Sequence, residues 1–562
     1  MLPTVAETAA LPVLLRDWAR RQGDERALTF VDYTRDPGGL ATTLTWAELD
    51  EQVERIAAAI QPRCSTGDRV AILVEQSATY VASFLAAIRA GLIAVPLYPP
   101  GLPRFDERLA AVLADCTPAL LLASSARATD VARFAGDVPV VPVDALGEPG
   151  PLLDVPHGPD DVAYLQYTSG STRTPAGVVL THANVFANAR QAVECFELVH
   201  GRSVCVSWLP LFHDMGLMLG AAAALVAGIP VVLLDPGAFL EQPVRWLRAL
   251  SANPGAITAA PSFAYAYAAA RTTERDRMLL RLDGVEVLID GSEPVAPANI
   301  NRFHDTFAEC GLRRAAHRPS YGLAEATVLV TSTPAGTEPR PRTFDAGALA
   351  AGTAAPPTPD RRTSTLVGCG TPAGQRVLVV DAETGVPVRD GTVGEVWVSG
   401  PNVATRYWRG TERSEHTFGG QVPGEPGRWL RTGDLGLFVD GELFITGRLK
   451  DLIIVDGRNH YPQDIEYTVE HAHPAIRRHA TAAFAVSTMD GERLVVLAER
   501  ARDAESMLDE EVTVAVRSAV SAEHGIGVQD LVLLDPGAVP RTSSGKISRT
   551  ACRAMYLAEG GA

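Results

Sequence analysis

The chain has 562 residues, of which 46% are hydrophobic and 21% charged, and carries a formal net charge of −16. That length exceeds a typical single core and predicts two to four structural units in an ordinary globular protein. The acidic balance argues against nucleic acid and anionic membrane surfaces as main partners, but leaves room for a small anion in a local pocket.

The N-terminal stretch MLPTVAETAALPVLL has no basic residue ahead of its apolar run, so it is not read as a signal peptide. Thr45 and Glu48 have capping-box spacing and open a helix in TWAELDEQVERIAAAI. The next stretch predicts a buried strand over 70–74, a helix over 78–89 and a second buried strand over 92–97. The same alternation recurs in PALLLASSARATDVARFAGDVPVVPVD. Apolar strands alternating with helices argue for a parallel sheet covered on both faces. GLMLGAAAALVAGIPVVLL (216–234) approaches membrane-spanning length. It is alanine-rich and broken at Gly228-Ile229-Pro230, so it is read as a buried helix followed by a buried strand, with no membrane span.

The segment 333–364 is rich in Pro, Gly and Ala and is read as the least structured part of the chain. From about Gly394 short strands and Gly/Asp turns predict a small antiparallel or barrel-like unit. After Arg448 a compact α+β tail follows, with a boundary near 448–450. The seven cysteines, Cys64, Cys116, Cys195, Cys205, Cys310, Cys369 and Cys552, form no CxxC pair. They predict free thiols in a reducing, cytoplasmic setting rather than a disulfide framework or a zinc site.

Of 50 lysine and arginine residues, only Lys450 and Lys546 are lysine. Either the two are leftovers of composition, or each site needs a compact, flexible ammonium that a planar guanidinium cannot replace. The turn Thr168-Ser169-Gly170-Ser171-Thr172 follows an apolar strand and is dense in hydroxyls and backbone N–H groups. It suits a polyphosphate, yet lacks the GxxxxGK[ST] pattern; a solvated turn is the plainer reading of it alone. In chain order there follow WLPLFHDMGL with His213, LIDGSEPV with Gly291, Ser292 and Glu293, and SYGLAEAT with Ser320, Tyr321, Gly322 and Glu325. RTGDLG with Asp434, GRLKD with Arg448 and Lys450, and SSGKISR with Lys546 complete the series.

This ordered series resembles the adenylate-forming superfamily of acyl-CoA ligases, luciferases and nonribosomal adenylation domains, over nearly the whole chain. TSGSTRTPAGV has Arg173 and Ala176 where most of that superfamily has glycine and lysine. With FHDMG, SYGLAEAT and GRNHYPQDIE it looks like the fatty acyl-AMP ligase branch. The resemblance implies an α/β fold with a large N-terminal domain (1–448) of parallel α/β sheets plus the small barrel-like subdomain. A small mobile C-terminal domain (449–562) would be hinged at Lys450. Segment 333–364 falls where that branch carries an insertion, which is expected to hinder the use of coenzyme A; a neutral surface loop is the alternative.

The implied chemistry is attack of a fatty carboxylate on the α-phosphorus of ATP with Mg²⁺ present, then transfer of the acyl group to the phosphopantetheine thiol of an acyl carrier protein or polyketide synthase carrier domain. By resemblance Lys546 bridges the reacting anions, Thr168 to Thr172 hold phosphates, and Glu325 ligates Mg²⁺. Tyr321 stacks on adenine with Gly291, Ser292, Glu293, Ser320 and Gly322 nearby; Asp434 accepts from the ribose hydroxyls, and Arg448 contacts ribose or phosphate. His213 stands at the mouth of an acyl pocket that includes Trp208, Gly216, Gly220, Pro261 and Ser262, although small residues at 216–224 fit tight helix packing equally well. No counterpart of the aspartate that amino-acid-activating domains use follows the HDMG stretch. A fatty acyl-CoA ligase and a catalytically silent acyl- or nucleotide-binding relative remain the alternatives.

Overall fold

The computed structural model describes residues 10–101, 103–168, 175–455, 458–488, 491–502, 508–542 and 545–558. A nine-stranded sheet forms the centre of the larger part. Its strands Arg26–Asp32, Val231–Leu234, Val204–Ser207, Ala256–Ala260, Val285–Asp290 and His317–Gly322 run parallel in that spatial order. Antiparallel strands Leu40–Thr45 and Leu329–Ser332 flank them. A six-stranded sheet, parallel except for the pair Val162–Tyr167 and Gly177–Thr181, lies beside it. The strands are short and almost wholly buried, as expected when helices cover both faces.

Local sequence explains the framing helices. Thr45 Oγ1 accepts the Glu48 N–H at 3.2 Å, and Glu48 Oε2 accepts the Thr45 N–H at 2.8 Å, so the helix Trp46–Ile60 starts on a complete capping box. The helix Ala78–Arg89 falls as expected, and its strand neighbours are Arg69–Ile72 and Ile93–Pro96. The alanine-rich run is the expected helix and strand, but the helix contains a π-helical turn over Met218–Ala222. Gly228 ends it in the left-handed conformation (φ +66°), and a β-carbon there would fall 2.3 Å from the Trp18 ring. Among the described residues no helix is long and apolar enough to cross a membrane.

The small antiparallel unit is a four-stranded sheet, Arg376–Val380, Gly394–Ser399, Leu430–Val439 and Glu442–Arg448. Segment 333–364 corrects the reading of its composition: it holds the strand Pro341–Asp345, the helix Ala346–Ala350 and the start of Thr363–Val367, which pairs antiparallel with the first strand. Phe344 and Leu349 bury themselves with Leu437, Phe444 and Tyr461, a cluster drawn from both sides of position 450. Each such buried side chain contributes about 1.5–3 kcal/mol.

Past position 450 the chain builds its own core around Ile465, Val469, Val496, Val512 and Val516, with a three-stranded sheet and the helices Pro462–Ala472, Asp509–His524 and Arg549–Ala558. Arg549 closes this body. Its Nε and Nη2 each reach the Glu466 carboxylate at 2.7 Å, and its Nη1 reaches Asp451 Oδ2 at 3.3 Å. The seven cysteines are free thiols, most of them buried.

Candidate active site

The parallel strands deliver the motifs to one edge. Val285–Asp290 runs out into Gly291-Ser292-Glu293, and its parallel neighbour His317–Gly322 carries Ser320, Tyr321 and Gly322 beside that turn. The carboxyl ends of parallel strands are where such sheets place their ligands. Gly291 permits the close approach: a β-carbon there would meet the Ser320 carbonyl oxygen at 2.7 Å. Ser320 Oγ is tied to Ser332 Oγ at 2.8 Å, which directs it into the sheet.

Lys546 comes from the C-terminal body. Its loop is tightened by the Thr542 N–H donating to the Lys546 carbonyl at 2.7 Å and by the Lys546 N–H donating to Thr542 Oγ1 at 3.2 Å. Lys546 Nζ then donates to Ser292 Oγ at 2.9 Å. Burial pushes this ammonium below its ordinary value; Asp214, Glu293 and Asp434 oppose that, while Arg448 adds to it. The contact with Ser292 brings Lys546 to the turn Gly291-Ser292-Glu293.

Asp434 is buried, and both its oxygens are engaged. Tyr321 Oη donates to Oδ2 at 2.8 Å and Arg448 Nε to Oδ1 at 2.9 Å. Asp434 in turn raises the Arg448 guanidinium above its ordinary value, against the opposing effect of burial. An ionised carboxylate has about four acceptor sites, so two remain for a diol. His213 Nδ1 lies 2.6 Å from Asp214 Oδ1, and the Met215 N–H donates to the same carboxylate oxygen at 2.7 Å. Burial pushes the Asp214 carboxyl up, but His213, Lys546 and the Met215 N–H together hold it below the usual range.

Glu325 Oε1 accepts the Tyr407 hydroxyl at 2.7 Å. Among the described residues no cluster of three or more His, Cys, Asp or Glu is placed to cage a metal. A single carboxylate fits a hard cation that keeps several waters and is held mainly by phosphate oxygens, as Mg²⁺ is. Tyr407 was not legible in the sequence. It lies beside the strand Gly177–Thr181 through the bridge Val178–Tyr407 and the Trp408 N–H to Gly177 carbonyl bond at 2.7 Å, pairings between residues far apart in the chain.

Of the hydroxyl-rich turn, Thr168 is described: its N–H donates to the Ala176 carbonyl at 3.3 Å and its own carbonyl accepts from Arg108 Nη2. Ser169, Gly170, Ser171 and Thr172 lie outside the described residues. Lys450 sits on the surface in a 3₁₀ turn, Leu449–Asp451, next to Arg448.

The residues expected at the acyl pocket have mixed surroundings. Trp208 stacks on Phe239 with centroids 3.8 Å apart. A β-carbon on Gly216 would lie 2.1 Å from the Pro210 carbonyl oxygen, and one on Gly220 3.1 Å from Ser207 Oγ, so both glycines serve close packing here. Pro261 precedes the helix Ser262–Arg271. The Ser262 hydroxyl is buried and accepts the Ala296 N–H at 3.2 Å, which turns it into a polar network rather than toward a channel.

The profile of the AMP-binding enzyme family matches residues 15–408, and that of the Disco-interacting protein 2-like AMP domain matches residues 450–560. The long-chain-fatty-acid–AMP ligase FadD26 of Mycobacterium marinum is 44% identical, over 98% of this chain and 98% of its own. FadD25 of Mycobacterium tuberculosis, provisionally named a fatty-acid–CoA ligase, is also 44% identical, over 98% of this chain and 97% of its own. A solved fatty acyl-adenylate ligase, from work on the E. coli and L. pneumophila proteins, superposes with a TM-score of 0.87 at 32% identity over 98% of each chain. The chain belongs to the AMP-binding enzyme family, within its fatty acyl-AMP ligase branch.

Proposed function

We propose that the chain activates a fatty acid with ATP and passes the acyl group to the phosphopantetheine thiol of an acyl carrier protein or a polyketide synthase carrier domain. A carboxylate oxygen attacks the α-phosphorus, the bond to the bridging oxygen of the β-phosphate breaks, and pyrophosphate leaves. The thiol then attacks the acyl carbon, losing its proton as the sulfur–carbon bond forms, and AMP leaves. The observation that carries the reading is the Lys546 Nζ to Ser292 Oγ contact of 2.9 Å, beside Asp434 with its Tyr321 and Arg448 partners.

No protein nucleophile is needed: two anions must meet, so positioning and fixed positive charge carry the catalysis. Lys546 supplies one ammonium between carboxylate and phosphate. Asp434 receives the ribose hydroxyls, Tyr321 lies against adenine, and Thr168 with the following turn holds the phosphates. Glu325, oriented by Tyr407, would hold Mg²⁺, which when bound offsets the charge of the phosphate oxygens.

In this reading residues 1–448 and 449–562 form two domains hinged at Lys450, with Lys546 seated only during adenylation. The insertion 333–364 restrains the smaller domain; Arg362 supports this by reaching Asp464 at 3.5 Å and the Glu523 carbonyl at 3.0 Å. Restraint of that kind disfavours coenzyme A. The free thiols and the absence of a membrane-spanning helix among the described residues support a cytoplasmic enzyme.

The name carried by FadD25 favours a second reading, a fatty acyl-CoA ligase. Incubation with fatty acid, ATP and CoA separates them. Accumulating acyl-adenylate that acylates an added carrier protein supports the first reading, and abundant acyl-CoA supports the second. Absence of fatty-acid-dependent ATP–pyrophosphate exchange rules out both.

A further inference from the structure

The turn that receives Lys546 is fastened to a helix that carries none of the nucleotide-site motifs. Glu293 Oε1 accepts the Phe263 N–H at 2.6 Å. Phe263 is the second residue of Ser262–Arg271, and the first four N–H groups of a helix have no partner inside it. Pro261, at the cap position, offers no side-chain hydrogen bond. Glu293 therefore supplies, from 30 residues away, the cap that the helix's own sequence lacks.

The other flank of the turn is anchored as well. Asp290 is fully buried and its Oδ2 lies 3.0 Å from His317 Nε2; His317 Nδ1 in turn meets His304 Nε2 at 3.2 Å. Between Asp290 and Glu293 sits Ser292, whose φ of +70° is a conformation that a residue with a side chain keeps only when its surroundings impose it. Ser292 is the residue that Lys546 meets.

We propose that Glu293 is a positioning residue that couples the helix Ser262–Arg271 to the seating of Lys546, holding Ser292 in the conformation that receives Nζ. This rests on the adenylation reading above. The charged groups that face Glu293 are Lys546 and Arg541 from the C-terminal loop and Asp290 from its own strand. Burial pushes the Glu293 carboxyl up to about 7, against the pull of the Phe263 N–H and Lys546. Its ionised form both accepts the helix N–H and attracts the ammonium.

The test is fatty-acid-dependent ATP–pyrophosphate exchange by Glu293→Ala, Glu293→Gln, Lys546→Ala and the Glu293→Ala/Lys546→Ala double variant, with thermal unfolding followed in parallel. Glu293→Ala should lower kcat about tenfold with little change in the KM for ATP. Glu293→Gln keeps an acceptor for the Phe263 N–H and should recover most of that loss, but without the rise in rate between about pH 6 and pH 8 that ionisation gives the native protein. In the Lys546→Ala background the alanine change should have no further effect, because Glu293 acts through Lys546. A wild-type rate for Glu293→Ala, or multiplying losses in the folded double variant, overturns the proposal. Should Glu293→Ala fail to fold, an unchanged pH profile in Glu293→Gln overturns it. Native protein that shows no fatty-acid-dependent exchange defeats the ligase reading itself, and this inference with it.

Discussion

Arg362 Nη2 lies 3.5 Å from Asp464 Oδ2, joining the segment that composition marks as least structured to the first helix of the C-terminal body. Burial raises the Asp464 carboxyl to about 6, and Arg362 is the group that pulls it back down. Both side chains are partly exposed, so the pair contributes about 0.5–1 kcal/mol. If the insertion restrains the C-terminal body, Arg362→Ala should raise acyl-CoA formation by about two- to fivefold while leaving acyl-adenylate formation near its native rate. Chromatographic separation of the two products checks this, and unchanged acyl-CoA output counts against the restraint.

Lys546→Ala should lower fatty-acid-dependent ATP–pyrophosphate exchange by about 10² to 10³, the cost of losing one charged donor at the developing charge. Lys546→Arg should also be impaired. A guanidinium imposes a planar fork where Nζ makes a single 2.9 Å contact with Ser292. Unfolding temperatures should stay near native, since Lys546 lies in a loop rather than in either core. Exchange at the native rate in either variant rejects the role.

Tyr407→Phe removes the hydroxyl that orients Glu325. Loss of such an outer partner weakens a metal site by about tenfold or more. The expected outcome is a matching increase in the Mg²⁺ concentration that gives half-maximal exchange, with kcat at saturating Mg²⁺ less affected. A titration of rate against Mg²⁺ decides it; a simple loss of kcat at every concentration points to a folding defect.

His524 and His182 should make stability fall on the acid side of neutrality, against the opposite slope of the raised Glu293 and Asp464 carboxyls. Burial lowers His524 to about 3, with Arg362 adding to the effect, and lowers His182 to about 4. Both are neutral in the folded chain, whereas in the unfolded chain each binds a proton below about 6.5. The stability they confer is therefore complete above that value and is lost as the pH falls toward their folded values, at up to about 1.4 kcal/mol per pH unit for each group. Denaturant unfolding between pH 8 and pH 5 measures the slope, and His524→Gln should make it shallower.

Local signals were read well. The helix Ala78–Arg89 is bounded by the Ser77 cap and an unbroken apolar run, and neither depends on distant residues. Segment 333–364 reads as poorly structured because its Pro, Gly and Ala content conceals where Phe344 and Leu349 go; their partners Phe444 and Tyr461 arrive about a hundred residues later. The motifs identified Ser292 and Lys546 separately, but a contact spanning 254 positions leaves no local trace. Tyr407 was missed for the same reason: its pairing with Val178 belongs to the folded chain alone. Small residues at 216 and 220 fitted a tunnel or tight packing equally, and only the neighbouring Pro210 and Ser207 decide between them.

Arg549 stands three residues beyond Lys546, and its partner Asp451 stands one beyond Lys450. A single guanidinium thus bolts the surroundings of both lysines into one piece. If residues 449–562 turn about Lys450 as proposed, Asp451, Glu466 and Arg549 move together like a crank, because Arg549 ties all three. The stroke delivered at the far end would then be fixed by the length of a stiff lever rather than by the bending of a loop.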